Sequence, residues 1–113
     1  AGRAIAATLA TLPKRETHII CGMLNTKDVT GFLAPIAAHC ASLTTVTIPN
    51  EVNAVSSADL AEVGRSCAIP SREASDVRAA LQDLSQRHPQ ARILICGSLY
   101  LAGHVLRENE PST

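Results

Sequence analysis

The chain has 113 residues, with 10 basic and 10 acidic side chains, so its formal net charge is zero. This balance argues against a nucleic-acid module and against a polybasic membrane-surface segment, which both carry an excess of Lys and Arg. Hydrophobic residues make up 46% and aromatic residues 2% of the chain, which argues against disorder and against base-stacking surfaces. No apolar run reaches the ~18 residues of a membrane helix, and we expect one cytoplasmic domain over residues 1–113.

The spacing of apolar residues predicts helices that alternate with strands. In chain order we predict a helix over residues 2–12, a strand over 17–23, a helix over 28–41, a strand over 43–48, helices over 58–67 and 71–87, a strand over 92–96 and a helix over 98–107. Pro35 should bend the second of these helices, and Ser57 should cap the third.

This alternation predicts an α/β fold, a three-layer Rossmann-like domain with a small, mainly parallel sheet flanked by helices. With the three strands numbered in sequence, the preferred strand order is 2-1-3. Ligands of such sheets bind beyond the carboxyl ends of the strands, where the strand order reverses. We therefore expect a crevice between Gly22 and Gly97, the glycines at the ends of the first and third strands.

Four residues around this crevice are candidate ligand-binding residues, namely Gly97, Ser98, Tyr100 and Lys27. Ser98 begins the last predicted helix, whose free N–H groups and dipole favour an anion. The alternative for Ser98 is an ordinary helix cap, and the alternative for Lys27 is a solvated loop lysine. Asp28 is most simply a cap for its own helix.

The motifs of self-contained enzymes are absent from the sequence. Neither Lys14 nor Lys27, the two lysines, follows a P-loop glycine pattern, and no Gly-x-Ser-x-Gly or His-Glu-x-x-His occurs. The four cysteines form no Cys-x-x-Cys pair, so we interpret them as free buried thiols. The residues predict no catalytic side chain and no metal ligand, and by themselves they indicate a small ligand-binding α/β domain.

Two blocks of sequence extend this interpretation. The segment Gly22-Met23-Leu24 is followed by Lys27-Asp28-Val29, and a later block reads Gly97-Ser98-Leu99-Tyr100. In this order and separation they resemble the C-terminal domain of folylpolyglutamate synthase/dihydrofolate synthase, in the Mur ligase superfamily. The resemblance covers essentially the whole chain.

The resemblance implies an ATP-dependent ligase that joins L-glutamate to dihydropteroate or a folate through an acyl phosphate. It places the P-loop and the Mg²⁺ ligands in an N-terminal ATPase domain, over which the C-terminal domain closes. Ser98 would then bind a glutamate carboxylate, Lys27 would add positive potential, and ATP and Mg²⁺ would be bound by the full-length enzyme rather than by this chain.

The family's C-terminal domain starts with a strand and an Asp-Gly-Ala-His-Asn loop, whereas this sequence starts at Ala1-Gly2-Arg3. We therefore expect a fragment that is inactive alone and that can self-associate through an unpaired sheet edge. Two alternatives remain open: the C-terminal domain of a muramyl-peptide ligase, and a non-catalytic α/β binding or interaction module.

Overall fold

The structure is a computed structural model that describes residues 2–24 and 29–97. The elements, in chain order, are α1 (Gly2–Thr11), β1 (Thr17–Gly22), α2 (Val29–Leu33), a 3₁₀ helix (Ala34–His39), β2 (Ser42–Thr45), α3 (Ser57–Ser66), β3 (Ser71–Glu73), α4 (Val77–Arg87) and β4 (Arg92–Gly97). The helix predicted over residues 98–107 lies outside the described residues.

The described strands form one parallel sheet in the order β3-β2-β1-β4. The three predicted strands correspond to β1, β2 and β4, and they lie in the predicted relative order with β1 between the other two. The short strand β3, which the sequence analysis did not predict, pairs with the outer side of β2. The α/β class, with a small parallel sheet flanked by helices, is confirmed.

Two separate hydrophobic cores lie on the two faces of the sheet. Ile19 packs with residues of α2, the 3₁₀ helix and α3, whereas its neighbour Ile20 packs with residues of α4. Both side chains are completely buried, as expected for consecutive residues of a strand that is covered on both faces. This burial explains why β1 is a continuous apolar run instead of an alternating one.

The predicted helix over residues 28–41 is shorter and divided. The α-helical part ends at Leu33, and the chain continues as the 3₁₀ helix, with Pro35 in its first turn. Proline has no N–H to donate along an α-helix, and its ring crowds the preceding turn. The change from α-helix to 3₁₀ helix therefore occurs next to Pro35, where a bend was predicted. The result keeps Phe32, Leu33 and Ile36 in the core beside β1.

The prediction of a helix over residues 71–87 is wrong for its first six residues. Residues Ser71–Glu73 form β3 instead, and the helix starts at Val77 with the Asp76 side chain accepting a hydrogen bond from the Ala79 N–H at 2.7 Å. This strand forms because its backbone pairs with β2. The Leu43 N–H donates to the Pro70 carbonyl, and the Ala74 N–H donates to the Thr45 carbonyl. Long-range pairing has overridden local helix propensity here.

The helix predicted over residues 58–67 has a different cap from the one expected. It begins at Ser57, and the side chain of Ser56, not that of Ser57, accepts the Asp59 N–H at 3.1 Å. Ser57 is therefore free to use its hydroxyl elsewhere, at the carboxyl edge of the sheet.

β4 is the outer strand of the described sheet on the side away from β2. Its residues from Arg92 to Ile95 are half-buried, although three of them are large and apolar. An apolar edge strand favours pairing with another chain. Self-association stays a prediction, which light scattering over a range of concentrations can check.

Candidate functional site

The turns at the ends of β1 and β4 lie side by side, as predicted. Gly22 and Gly97 are the last partners in the parallel pairing of the two strands. The backbones approach so closely that a Cβ atom on Gly97 would overlap the Gly22 carbonyl oxygen and would lie 3.1 Å from the sulfur of Met23. Gly97 also has a φ of +94°, which glycine adopts readily and other residues avoid. The predicted crevice therefore has a glycine on each strand for a geometric reason.

Gly97 is the one candidate site residue that the structure describes. Lys27, Ser98 and Tyr100, together with Asp28, lie outside the described residues. Ser98 directly follows Gly97 in the sequence, and Lys27 follows Gly22 by five residues. Their contacts with a ligand remain predictions that rest on the position of the two glycines.

The loop between β2 and α3 forms a wall beside the end of β1. Leu24 makes an antiparallel bridge with Ala54, and the Val55 N–H donates to the Met23 carbonyl at 2.9 Å. The signal for this contact was the pair of small apolar residues Ala54-Val55 within an otherwise polar stretch. These contacts hold Met23 and Leu24 against the loop at the end of β1.

A hydrogen-bonded polar network lies at the carboxyl ends of β2 and β3. The Ser57 hydroxyl donates to the Glu73 carboxylate at 2.7 Å, and the Ser57 N–H donates to the Thr47 hydroxyl at 2.7 Å. The Thr45 hydroxyl, which is fully buried, donates to the Ser57 carbonyl at 2.8 Å. These groups satisfy one another, so we interpret the network as the anchor that holds the start of α3 on the sheet.

All four cysteines pack in the core on the face of the sheet covered by α2 and α3. Cys21 and Cys96 are partners on β1 and β4, and Cys40 packs against the same core. The hydrogen bond that the Cys21 thiol donates to Cys96, followed by burial, raises the pKa of Cys21 well above its usual range. Burial, followed by the proximity of Cys96, raises the pKa of Cys40 to about 11. All four cysteines of the chain's described part are free thiols, and those with a raised pKa are poor nucleophiles at neutral pH.

The raised pKa of Cys40 predicts a loss of stability at alkaline pH. The thiol ionises near pH 9.0 when unperturbed and near pH 11 in the folded protein. The free energy of unfolding is therefore unaffected by this group below pH 9 and falls as the pH rises towards 11, because ionisation then favours the unfolded chain. Urea unfolding between pH 7 and 10.5 should show a shallower fall for Cys40→Ala than for the unaltered chain. Cys67→Ala serves as the matched control, and an equal fall in all three proteins would contradict the prediction.

The opposite edge of the sheet carries two further features. A cavity of about 490 Å³ lies between the end of α1, residues 13–17 and the 3₁₀ helix. Nearby, Glu16, His18 and His88 bring three potential metal-ligand atoms within 4.8 Å of one another. Within residues 2–24 and 29–97 this is the one group of three or more such side chains, and it lies at the amino-terminal edge, away from Gly22 and Gly97.

The described residues of the crevice lack the ligands that a divalent cation prefers. Mg²⁺ prefers carboxylate and water oxygens. The described residues there, Gly22, Met23, Leu24 and Gly97, offer backbone and apolar groups and no carboxylate. The described part of the crevice therefore does not fit a metal ion.

No helix among the described residues is long and apolar enough to cross a bilayer.

A parallel sheet covered by helices on both faces, with Gly22 and Gly97 paired at its carboxyl end, defines a Rossmann-like α/β domain. Solved structures of folylpolyglutamate synthase/dihydrofolate synthase contain a domain with a similar fold. The bifunctional enzyme from Yersinia pestis, complexed with AMPPNP and a Mn ion, matches with a TM-score of 0.78 and 25% identity over 95% of this chain. The sequence-based resemblance to this family of ligases is thus confirmed by the fold.

Two other solved structures give the same result. Mycobacterium tuberculosis folylpolyglutamate synthase with ADP has a TM-score of 0.76, 21% identity and 95% coverage of this chain. A bifunctional folylpolyglutamate synthase/dihydrofolate synthase with Mn, AMPPNP and L-glutamate bound has a TM-score of 0.76 and 22% identity, also over 95%. The chain spans only about a quarter of each solved protein, between 25% and 26% of its length. No family model and no curated protein sequence matches the chain.

Proposed function

We propose that this chain is the C-terminal domain of an ATP-dependent amide ligase that adds L-glutamate to dihydropteroate or a folate through an acyl-phosphate intermediate. The observation that carries the proposal is the pairing of Gly22 with Gly97, because these two glycines begin the two sequence blocks of the resemblance and lie at one edge of the sheet. The matching solved proteins contain ADP, AMPPNP and Mn, and one contains L-glutamate, which supports this ligand class.

In this proposal the domain acts by binding and orienting ligands when it closes over a separate ATPase domain. Ser98, at the N-terminus of the last predicted helix, donates a hydrogen bond to a glutamate carboxylate, and backbone N–H groups from Gly97 onwards add to the same anion site. Lys27 contributes positive potential across the crevice, and Tyr100 lines it. ATP and Mg²⁺ belong to the partner domain, which supplies the phosphoryl-transfer chemistry.

The proposed enzyme works in folate biosynthesis and one-carbon metabolism, in the cytoplasm, and this chain by itself is inactive. The match to only a quarter of each solved enzyme supports the need for a partner domain. A phosphate-release assay tests this directly. The protein carrying both domains should release phosphate when ATP, L-glutamate and dihydropteroate or a folate are all present, and the isolated chain should not.

The same assay separates the alternatives. Turnover with a muramyl peptide in place of a folate would assign the chain to the other branch of the superfamily. A two-domain protein that binds neither ATP nor L-glutamate would instead indicate an interaction module. Turnover by the isolated chain would overturn the proposed division of labour between the domains.

Ser98→Ala in the two-domain protein is expected to raise the KM for L-glutamate. A hydrogen bond to a charged group contributes roughly 1.5–3 kcal/mol, which corresponds to about a 10- to 150-fold change. The KM for the folate should change much less, because the serine is proposed to contact only the amino acid. Ser75→Ala, at an exposed position between β3 and α4, is the matched control. Glutamate kinetics that do not change in Ser98→Ala would remove Ser98 from the site.

A further inference from the structure

A second site is suggested by His18, which lies on β1 at the amino-terminal edge of the sheet, on the face covered by α4. His18 and Ile20 are two residues apart on β1, so they point to the same face, and Ile20 packs in the core beneath α4. Glu16, two residues before His18, continues this row. His88 ends α4, and its N–H donates to the Leu84 carbonyl at 2.8 Å. Side chains from two distant parts of the sequence, residues 16–18 and His88, therefore converge at the start of β1.

The atoms of this cluster are close and specifically oriented. Nε2 of His18 lies 2.8 Å from Oε2 of Glu16, and Nδ1 of His88 lies 3.7 Å from the same oxygen. The two imidazole rings stack with centroids 4.0 Å apart and an angle of 21° between their planes. One carboxylate oxygen is thus shared by two imidazole nitrogens.

The burial of the three side chains differs in a way that suits ligand entry. The His18 side chain is 3% exposed, whereas those of His88 and Glu16 are 29% and 54% exposed. His18 is buried in the protein, whereas the side chains of His88 and Glu16 border solvent. An incoming ion can therefore reach the cluster without opening the core.

Ser42 holds His18 in a suitable orientation. Its hydroxyl lies 2.6 Å from Nδ1 of His18, which leaves Nε2 directed at Glu16. A serine hydroxyl can donate to Nδ1 or accept a hydrogen bond from it. It can therefore satisfy Nδ1 both when Nε2 carries a proton and when Nε2 donates its lone pair to a metal ion. A hydrogen-bond partner on the non-ligating nitrogen is the usual feature of metal-binding histidines.

Glu16 supplies the negative charge of the cluster. Among the described residues, the ion-pair partners of Glu16 are the two histidines. The neighbouring guanidinium of Arg92 is directed elsewhere, since it donates to the Thr17 hydroxyl and to the Pro13 carbonyl. The Glu16 carboxylate thus remains available as an anionic ligand.

We propose that Glu16, His18 and His88 bind a Zn²⁺ ion, with water in the fourth position and Ser42 as the hydrogen-bond partner of His18. Two imidazoles and one carboxylate form a donor set that zinc accepts in tetrahedral geometry. Bonds of about 2.0–2.2 Å place tetrahedral ligand atoms roughly 3.3 Å apart. The distance between Nε2 of His18 and Oε2 of Glu16 must therefore increase slightly from 2.8 Å, and the His88 ring, which is partly exposed, must rotate away from the His18 ring. The ion would join the start of β1 to the end of α4, and this role is independent of the proposed ligase function.

The test uses the untagged chain and Co²⁺ as a spectroscopic substitute for Zn²⁺. Isothermal titration with Zn²⁺ should give one ion per chain, and Co²⁺ should give the visible absorption of a tetrahedral site that Zn²⁺ then displaces. His88→Gln and Glu16→Gln change side chains that border solvent, so both variants should fold, which circular dichroism can verify. Each should abolish the Co²⁺ absorption and weaken Zn²⁺ binding at least about 100-fold. Ser42→Ala should weaken binding about 10- to 100-fold, as expected when a histidine ligand loses its hydrogen-bond partner.

Two control variants make the result specific. His39→Gln removes another described histidine, and Glu51→Gln removes an exposed carboxylate, so both should bind Zn²⁺ as the unaltered chain does. The proposal is overturned if the unaltered chain does not bind Zn²⁺. It is equally overturned if folded His88→Gln and Glu16→Gln keep the affinity and spectrum of the unaltered chain, since the ion would then be held by other groups such as the thiols.

Discussion

Gly97→Ala is expected to lower the free energy of unfolding by at least about 1–3 kcal/mol, the usual cost of a strained backbone conformation. Gly97 has a φ of +94°, and its position leaves no room for a Cβ atom beside the Gly22 carbonyl. That neighbour is backbone, so it cannot move aside by a change of rotamer. Urea unfolding of the two proteins measures the difference.

The variant Ala68→Gly is the matched control for Gly97→Ala, because it makes the reverse substitution at another residue with a positive φ. Ala68 has a φ of +65° at the exposed end of α3, where its N–H donates to the Arg65 carbonyl. Glycine is the preferred residue at such a helix end, so Ala68→Gly should stabilise the protein by about 1 kcal/mol. A Gly97→Ala variant as stable as the unaltered chain would contradict the close approach of the β1 and β4 backbones at Gly22 and Gly97.

Leu84→Ala is expected to cost about 2–5 kcal/mol, the range found for removing a large buried side chain. Leu84 is completely buried, and it packs with Ile20 and Val77 in the core between α4 and the sheet. A domain of this size has a total stability of roughly 5–15 kcal/mol, so the substitution removes a large part of it.

Gln82→Ala, an exposed change on the same helix, controls for the effect of mutation in α4 and should stay within about 0.5 kcal/mol of the unaltered chain. Equal stability of Leu84→Ala and Gln82→Ala would contradict the packing of α4 against Ile20.

The parts of the fold that follow from local chemistry were predictable from the sequence. β1 and β4 are runs of apolar residues long enough to need cover on both faces, and each ends in a glycine where the chain turns. The alternation with helices then indicated a parallel sheet and placed Gly22 next to Gly97. Pro35 marked the change from α2 to the 3₁₀ helix for an equally local reason.

The parts that depend on distant partners were not predictable in this way. Nothing in Ser71–Glu73 favours a strand, and it becomes one because β2 has an open edge. The wall formed by Ala54 and Val55 likewise depends on the exit of β1.

The side-chain clusters were missed for the same reason. Ser57 and Glu73 lie on different elements, as do His18 and His88, and no spacing rule connects them. A search for metal ligands by sequence spacing finds pairs within one helix or loop, so it passes over a histidine on β1 and another at the end of α4.

The central claim is that the carboxyl edge formed by β1 and β4 holds a small acid, and hydrogen–deuterium exchange tests it most directly. The measurement compares the two-domain protein with and without ADP and L-glutamate. We expect slower amide exchange in peptides covering residues 22–27 and 97–101, with no change over residues 13–18 at the opposite edge. Unchanged exchange at 22–27 and 97–101 under saturating ligand would contradict the account.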